Sequence, residues 1–222
     1  MVDLYIVGAG GLGRGLADAL IYDNGESIEE SFGDIYFIDD YQVNKTINGI
    51  LVKKSIVDFI NTKTECLVLN AIGEPKLRRK VQNQLSDNTL FKFPNFIDKD
   101  VKIYNNIILG EGNIVTRGVV FSTNIEIGDF NLIHFNCTIG HDVKIGNYNC
   151  IYPLTSISGY TELGNENMLG TNSSTLPSVI LGNDIIVGAN SLVNKNFLNE
   201  KKIYGSPARE MRKIGDNKNE NK

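Results

Sequence analysis

The chain has 222 residues, with 22 Lys and Arg against 26 Asp and Glu, a formal net charge of −4 and a sequence pI near 5.3. It therefore carries no general basic footprint for nucleic acid, and no apolar run approaches the ~20 residues of a membrane span. Met1 to Gly8 lacks a basic n-region and enters a strand pattern at once, so it does not read as a signal peptide and a cytoplasmic location is expected.

Residues 1 to about 95 alternate strand and helix. Leu4 to Val7 is a short apolar strand, followed by a Gly-rich turn and a helix pattern through Leu16, Ala19 and Leu20. Ile35 to Ile38 is a second strand ending in Asp39-Asp40, and Lys54 to Ile60 reads as helix. Cys66 to Asn70 is a third strand and Lys76 to Leu85 a third helix. Such alternation implies a parallel sheet with right-handed crossovers. Within it, Gly8-Ala9-Gly10-Gly11-Leu12-Gly13 is a GxGxxG between strand and helix. There, glycines let backbone approach a phosphate and the helix N-terminus favours the anion. Asp39 or Asp40 is placed to accept hydrogen bonds from a ribose hydroxyl. Only about three βα units fit before the pattern changes, half of a dinucleotide fold, and no residues remain for a dehydrogenase's substrate domain. A mononucleotide, or a nucleotide carrying a sugar, fits that space better.

Phe93 to Phe96 reads as a link into a different pattern. In steps of six from Ile97 to Val193, sixteen of seventeen positions are apolar, the exception being Thr175. The following position is Gly in eight cases, and the fourth position after each is small or β-branched wherever it is not Asn. Neither a helix nor a lone strand repeats every six residues. A solenoid of short strands and tight turns does. After Val193 the pattern stops and Gly205-Ser206-Pro207 marks a turn. The domains are thus expected at 1–95 and 96–196, with a C-terminal segment at 197–214 and a disordered tail at 215–222. Cys66, Cys137 and Cys150 are scattered, odd in number and without a CxxC, and are expected to be buried reduced thiols.

Several motifs punctuate these patterns: Val7-Gly8-Ala9-Gly10-Gly11, Ala71-Ile72-Gly73 followed by Arg78, Ile139-Gly140-His141-Asp142, and Pro153 followed by Ser158-Gly159. Gly170-Thr171 and Gly205-Ser206-Pro207-Ala208-Arg209 complete the set. In this order they resemble the bacterial nucleotide-sugar N-acetyltransferases of the hexapeptide-repeat family, which acetylate 4-amino-4,6-dideoxy sugars, and the related sialic acid O-acetyltransferase-like proteins. The resemblance runs from Tyr5 to Arg209. It implies a Rossmann-like α/β domain followed by a left-handed parallel β-helix of about eighteen residues per coil, assembled as a homotrimer with acetyl-CoA between neighbouring β-helices. At that repeat, residues 97 to 193 make a little over five coils.

The resemblance assigns His141 as general base, with Asp142, or another nearby carboxylate, as the acid that orients it. Acetyl transfer to an amine needs a base for the amine proton and donors for the tetrahedral oxyanion, and imidazole titrates close to neutral pH. Adjacent side chains on a strand diverge, so contact between His141 and Asp142 requires turn geometry. Gly159 lies eighteen residues after His141, one coil along, where its N–H fits the oxyanion or thioester-carbonyl donor. The substrate side is expected from Gly8, Gly10, Gly11, Gly13, Asp39, Asp40, Gly73, Arg78 and His134. Coenzyme A is expected near Gly159, Gly170, Thr171, Gly188, Ala189, Pro207 and Arg209, with Lys195, Lys201, Lys202 and Arg212 adding positive charge. Lys76 and Arg78 are placed either toward the nucleotide sugar or on an ordinary helix surface.

Three departures from the family pattern stand out. His134 replaces an expected Asn, leaving a sugar contact and a structural role both open. Leu12 replaces the His often found in the Gly-rich turn, and Asn190 stands where Gly is usual. No metal is expected: a zinc hydrolyase on the same solenoid needs three histidines, and the chain has two. The alternatives to N-acetylation are O-acetylation of a sialic acid or other free sugar, and a non-catalytic trimer that binds nucleotide sugars.

Overall fold

The computed structural model describes residues 1–198 and 200–211. The chain opens on β1 (Val2–Val7), whose residues Leu4, Ile6 and Val7 are wholly buried. The glycine-rich turn leads into α1 (Gly11–Tyr22), which buries Leu16, Ala17 and Leu20 against the sheet. β2 (Phe32–Ile38) pairs with β1 in parallel. Next comes a hairpin outside the expected elements, β3 (Thr46–Ile47) and β4 (Ile50–Lys54), antiparallel to each other. Its turn is Asn48-Gly49, both at positive φ (48° and 82°), as a two-residue type I′ hairpin requires. β4 pairs in parallel with β2, so the expected helix from Lys54 contracts to α2 (Ile56–Phe59), capped by the Ser55 hydroxyl. β5 (Cys66–Asn70) is buried throughout, as its unbroken apolar run implies. α3 (Pro75–Ser86) starts with Pro at its first turn and the Glu74 carboxylate on the N–H groups of Lys76 and Leu77. β6 (Phe91–Lys92) closes the sheet, in the order β3-β4-β2-β1-β5-β6. The order reverses between β1 and β5, which opens a crevice at their C-terminal ends.

From Phe96 onward the chain winds as a β-solenoid. Each two- or three-residue strand pairs in parallel with the strand eighteen residues on: Phe121 with Ile139, Ile127 with Ile145, Ile133 with Ile151. Three sheets result. The six-residue row points inward and forms one core from Val115 to Val193. The corners turn through a left-handed residue at every sixth position from Asn106 to Asn190, and thirteen of those fifteen are not Gly. The glycines that recur after each row residue serve a different need. A Cβ at Gly140 would lie 2.6 Å from Gly159 N, and one at Gly146 2.5 Å from Asn165 Oδ1. They are glycine because the next coil stacks directly on them.

The four Asn at fourth positions, Asn113, Asn131, Asn149 and Asn167, are buried and form a ladder. Each side-chain oxygen accepts the backbone N–H eighteen residues on, and each amide nitrogen donates to a glycine carbonyl fifteen residues on. Corner backbone that the sheets leave unpaired is thereby satisfied.

The solenoid does not end at Val193. The strand Lys201–Tyr204 adds another parallel rung on Ile185–Val187, and Arg209–Glu210 pairs antiparallel to it across the end. Part of the expected separate segment 197–214 is thus solenoid wall. Its register advances by sixteen residues rather than eighteen, which hid it from the six-residue count. Residues 212–222, including Arg212 and the expected tail, lie outside the described residues. The α/β domain docks on one face of the prism, where Phe96, Ile114, Leu132 and Cys150 join the core of Leu4, Leu16 and Leu20. Among the described residues no helix is long and apolar enough to cross a membrane. All three cysteines are free and buried, and burial pushes the Cys137 thiol up to about 12, so it stays protonated.

Candidate active site

His141 sits at a solenoid corner with its side chain about half exposed. Asp142, the next residue, occupies the left-handed turn position (φ 58°). That conformation folds the two neighbouring side chains onto the same side, and His141 Nδ1 meets Asp142 Oδ2 at 2.8 Å. Asn124, one coil back, donates to the other carboxylate oxygen at 3.3 Å. Hydrogen bonding from His141, with smaller help from Asn124 and Tyr160, holds the Asp142 carboxyl below its ordinary range. A charged Asp142 accepts Nδ1–H, fixing the tautomer that leaves Nε2 with a lone pair. Tyr160 packs edge-on against the imidazole at 5.0 Å.

Gly159 lies directly against this ring. A Cβ there would stand 2.7 Å from both Cε1 and Nε2 of His141. Its N–H donates to no acceptor among the described residues. One coil therefore presents a fixed base, and the next presents an open backbone donor beside it. Together they can take a proton from an attacking nucleophile and stabilise an oxyanion.

A second group gathers at the crevice of the sheet. Gly8 (φ 100°) packs against the Ala71 carbonyl, which brings the glycine-rich turn beside Ala71-Ile72-Gly73. Gly13 allows α1 to approach the Gly8 carbonyl, where no side chain fits, whereas Gly10, Gly11 and Gly73 face open space. Asp39 accepts from Ala9 N at 3.1 Å and Tyr41 N at 2.9 Å, and Asp40 accepts from Ile56 N at the start of α2. Both carboxylates thus brace the rim of this crevice through backbone bonds. Leu12, at the site of the missing His, packs into the core below α1.

Two expected substrate residues lie elsewhere. Arg78 is neither on a helix surface nor open to the crevice; it is 1 % exposed, between the two domains. Its guanidinium donates to the carbonyls of Ile72, Gly73, Phe130 and Asn149, and desolvation lowers its pKa. It ties the docking face of the solenoid to the loop before α3. Lys76 is on the helix surface and pairs with Asp184 of the solenoid. His134 stacks on Tyr152 with ring centroids 5.8 Å apart, and its Nδ1 is buried without a partner among the described residues. Burial, with the nearby Arg78 charge, lowers its pKa to about 4, so it is neutral near pH 7.

The expected coenzyme residues form a third group. Gly170 stacks on Ala189 and Gly188, and Asn190 donates its backbone N–H to the Thr171 carbonyl and accepts from Asn172 through its side chain. By the eighteen-residue register these residues occupy a different corner of the prism from His141 and Gly159. One chain does not bring the two together. Pro207 and Arg209 are exposed at the capped end, where Lys201 pairs with Glu210.

Comparison with known proteins agrees with this architecture. Residues 3–85 match the family model of the PglD N-terminal domain. No curated protein sequence matches significantly. Among solved structures, the acetyltransferase domain of PglB from Neisseria gonorrhoeae superposes with a TM-score of 0.88 at 23 % identity, covering 95 % of this chain and all of that one. The shared fold runs end to end. WeeI from Acinetobacter baumannii gives 0.85 at 24 %, covering 95 % of this chain and all of that one. PerB from Caulobacter crescentus, solved with CoA and GDP-perosamine, gives 0.82 at 24 %, covering 96 % and 98 %. The resemblance drawn from the motifs is thus borne out in the fold and in the N-terminal domain.

Proposed function

We propose that the protein is an acetyltransferase that moves the acetyl group of acetyl-CoA to the 4-amino group of a nucleotide-linked 4-amino-4,6-dideoxy sugar. The observation that carries this reading is the His141–Asp142 pair set against Gly159. The free amine attacks the thioester carbonyl while His141 Nε2 removes a proton from the nitrogen. The Gly159 N–H donates to the oxyanion. Collapse forms the amide and expels the CoA thiolate, which recovers the proton from the imidazolium, so that His141 ends neutral. Asp142 supports the transient imidazolium without itself being protonated.

The crevice at Gly10, Gly11 and Gly73, which face open space, with Gly8 packed against Ala71 beside them, suits the nucleotide phosphates at the N-terminus of α1. Support for both ligands comes from the solved neighbours: PglB in complex with acetyl-CoA, and PerB with CoA and GDP-perosamine. Assembly as a homotrimer of left-handed β-helices supplies what one chain lacks, by setting the Gly170-Thr171 and Gly188-Ala189 corner of one copy against the His141 corner of the next. Exposed Tyr160 on the one corner, and Phe135 and Leu154 on the other, suit burial between copies. Exposed Arg209 and Lys202 then offer charge to the coenzyme phosphates. The expected cytoplasmic location is part of this reading.

The test is acetyl-CoA turnover against a panel of UDP-, GDP- and dTDP-linked 4-amino-4,6-dideoxy sugars, beside free sialic acid. Turnover with at least one nucleotide-linked amino sugar, and none with its deaminated analogue, is expected. Acetylation of sialic acid alone would replace this reading with O-acetylation, and absence of acetyl-CoA binding would leave a non-catalytic trimer.

A further inference from the structure

Thr175 is the single polar residue in the inward row of seventeen, and it is 2 % exposed. Its surroundings are also unlike those of any other row residue. Among the described residues, every pairing between solenoid strands contains at least two residue pairs, except the one between Ser156–Ile157 and Ser174–Thr175, which has Ser156 with Ser174 alone. At equivalent places in this sheet the N–H after the row residue donates to a row carbonyl one coil on. Ser122 donates to Ile139, Gly140 to Ile157 and Leu176 to Val193. Ser158 does not. Its N–H donates to the Thr175 hydroxyl at 3.0 Å, and its own hydroxyl donates to the Thr175 carbonyl at 2.6 Å. The Thr175 hydroxyl is anchored in turn by the Thr161 hydroxyl at 3.1 Å, and Thr161 is wholly buried.

A regular ladder bond is thus replaced by a crossed pair of side-chain bonds. The donor taken out of the ladder is the N–H of Ser158, and the next peptide along, Ser158–Gly159, carries the N–H that lies under the His141 ring. We infer that Thr175 is a positioning residue: its hydroxyl and carbonyl hold Ser158 out of the regular ladder and thereby orient the Ser158–Gly159 peptide that follows, aiming the Gly159 N–H at the reacting carbonyl. This rests on the acetyl-transfer reading above. The Thr175 hydroxyl bonds Ser158 and the buried Thr161 hydroxyl rather than His141, at a position that the other sixteen row residues fill with an apolar side chain.

Thr175→Val keeps the shape, removes the hydroxyl and restores the apolar row, which lets Ser158 N–H return to the Thr175 carbonyl. We expect kcat to fall about tenfold, as for a donor misplaced rather than removed, with KM for acetyl-CoA and sugar within about twofold and the pH profile unmoved. Thr175→Ser keeps the hydroxyl and should retain kcat within about twofold. In protein labelled with nitrogen-15 glycine, the Gly159 amide resonance should move in the Val variant and stay near its wild-type position in the Ser variant. Unchanged kcat in Thr175→Val, equal losses in both variants, or an unmoved Gly159 amide would each overturn the inference. The amide measurement needs no turnover. Should the wild type acetylate no sugar, the proposed function fails, while the resonance still decides whether Thr175 sets this peptide.

Discussion

Replacing Gly159 with Ala tests the site with the least disturbance to the fold. The added methyl lies 2.7 Å from Cε1 and Nε2 of His141, and ordinary contact begins at 3.4 Å, so the ring must give by roughly 0.7 Å. The backbone of Gly159 is not in the left-handed region, so no strain is added there. The ring is half exposed and can swing outward, which leaves the folded state nearly as stable as before. Catalysis is less tolerant, because a base displaced by close to 1 Å loses about 100-fold, or roughly 2.7 kcal/mol of transition-state stabilisation. We therefore expect kcat, followed by release of the CoA thiol, to fall about 100-fold with a melting temperature close to the wild type. Gly140→Ala is the contrast: its methyl meets Gly159 N at 2.6 Å and the Ser158 carbonyl carbon at 2.9 Å, backbone that cannot swing aside, so stability is lost first. A Gly159→Ala enzyme that keeps kcat within about threefold of wild type would refute the placement of His141 over this glycine.

Two further predictions follow from the domain junction. Arg78→Met removes the guanidinium from the four carbonyls it serves; Asn149 keeps the Leu132 N–H, and the other three lose their donor, so at ~1–3 kcal/mol per orphaned acceptor, offset by relief of the buried charge, unfolding free energy should drop by roughly 3 kcal/mol in urea titration. A variant as stable as wild type would mean that the carbonyls find other donors. His134, with its pKa lowered to about 4 in the folded chain, makes folding exclude a proton that the unfolded chain takes up near 6.5. Stability should therefore fall as pH drops from about 6.5 to about 4, by up to ~3 kcal/mol. In His134→Asn that increment should vanish from the pH dependence of chemical denaturation; an identical dependence in both proteins would contradict the burial argument.

The six-residue row and the buried run Cys66–Asn70 are legible because burial and backbone geometry repeat locally. Other features escape for identifiable reasons. Asn48-Gly49 is a hairpin signal, but the strands it joins are short and Lys54, at the end of β4, also fits the helical pattern that follows. The left-handed corner positions are hidden because Asn, Asp, Tyr, Phe, Leu, Ser and Glu fill most of them instead of Gly. Arg78 looks like any helix cation, since the carbonyls of Phe130 and Asn149 that bury it lie 52 and 71 residues away. Contact between His141 and Asp142 depended on a turn conformation that the sequence allowed and did not require. Thr175 was visible as an exception, but its partners Ser158 and Thr161 became evident only once the coils were stacked.

The most direct test of the central claim compares wild type with His141→Ala in acetyl transfer to whichever nucleotide-linked 4-amino sugar of the panel the wild type uses best. Loss of the base should lower kcat by about 10³-fold, within the usual span for general-base catalysis, while sugar binding by calorimetry and the melting temperature stay close to the wild type. A His141→Ala protein that acetylates the sugar at the wild-type rate would show that the proton is taken elsewhere and that this corner of the solenoid is not the catalytic centre.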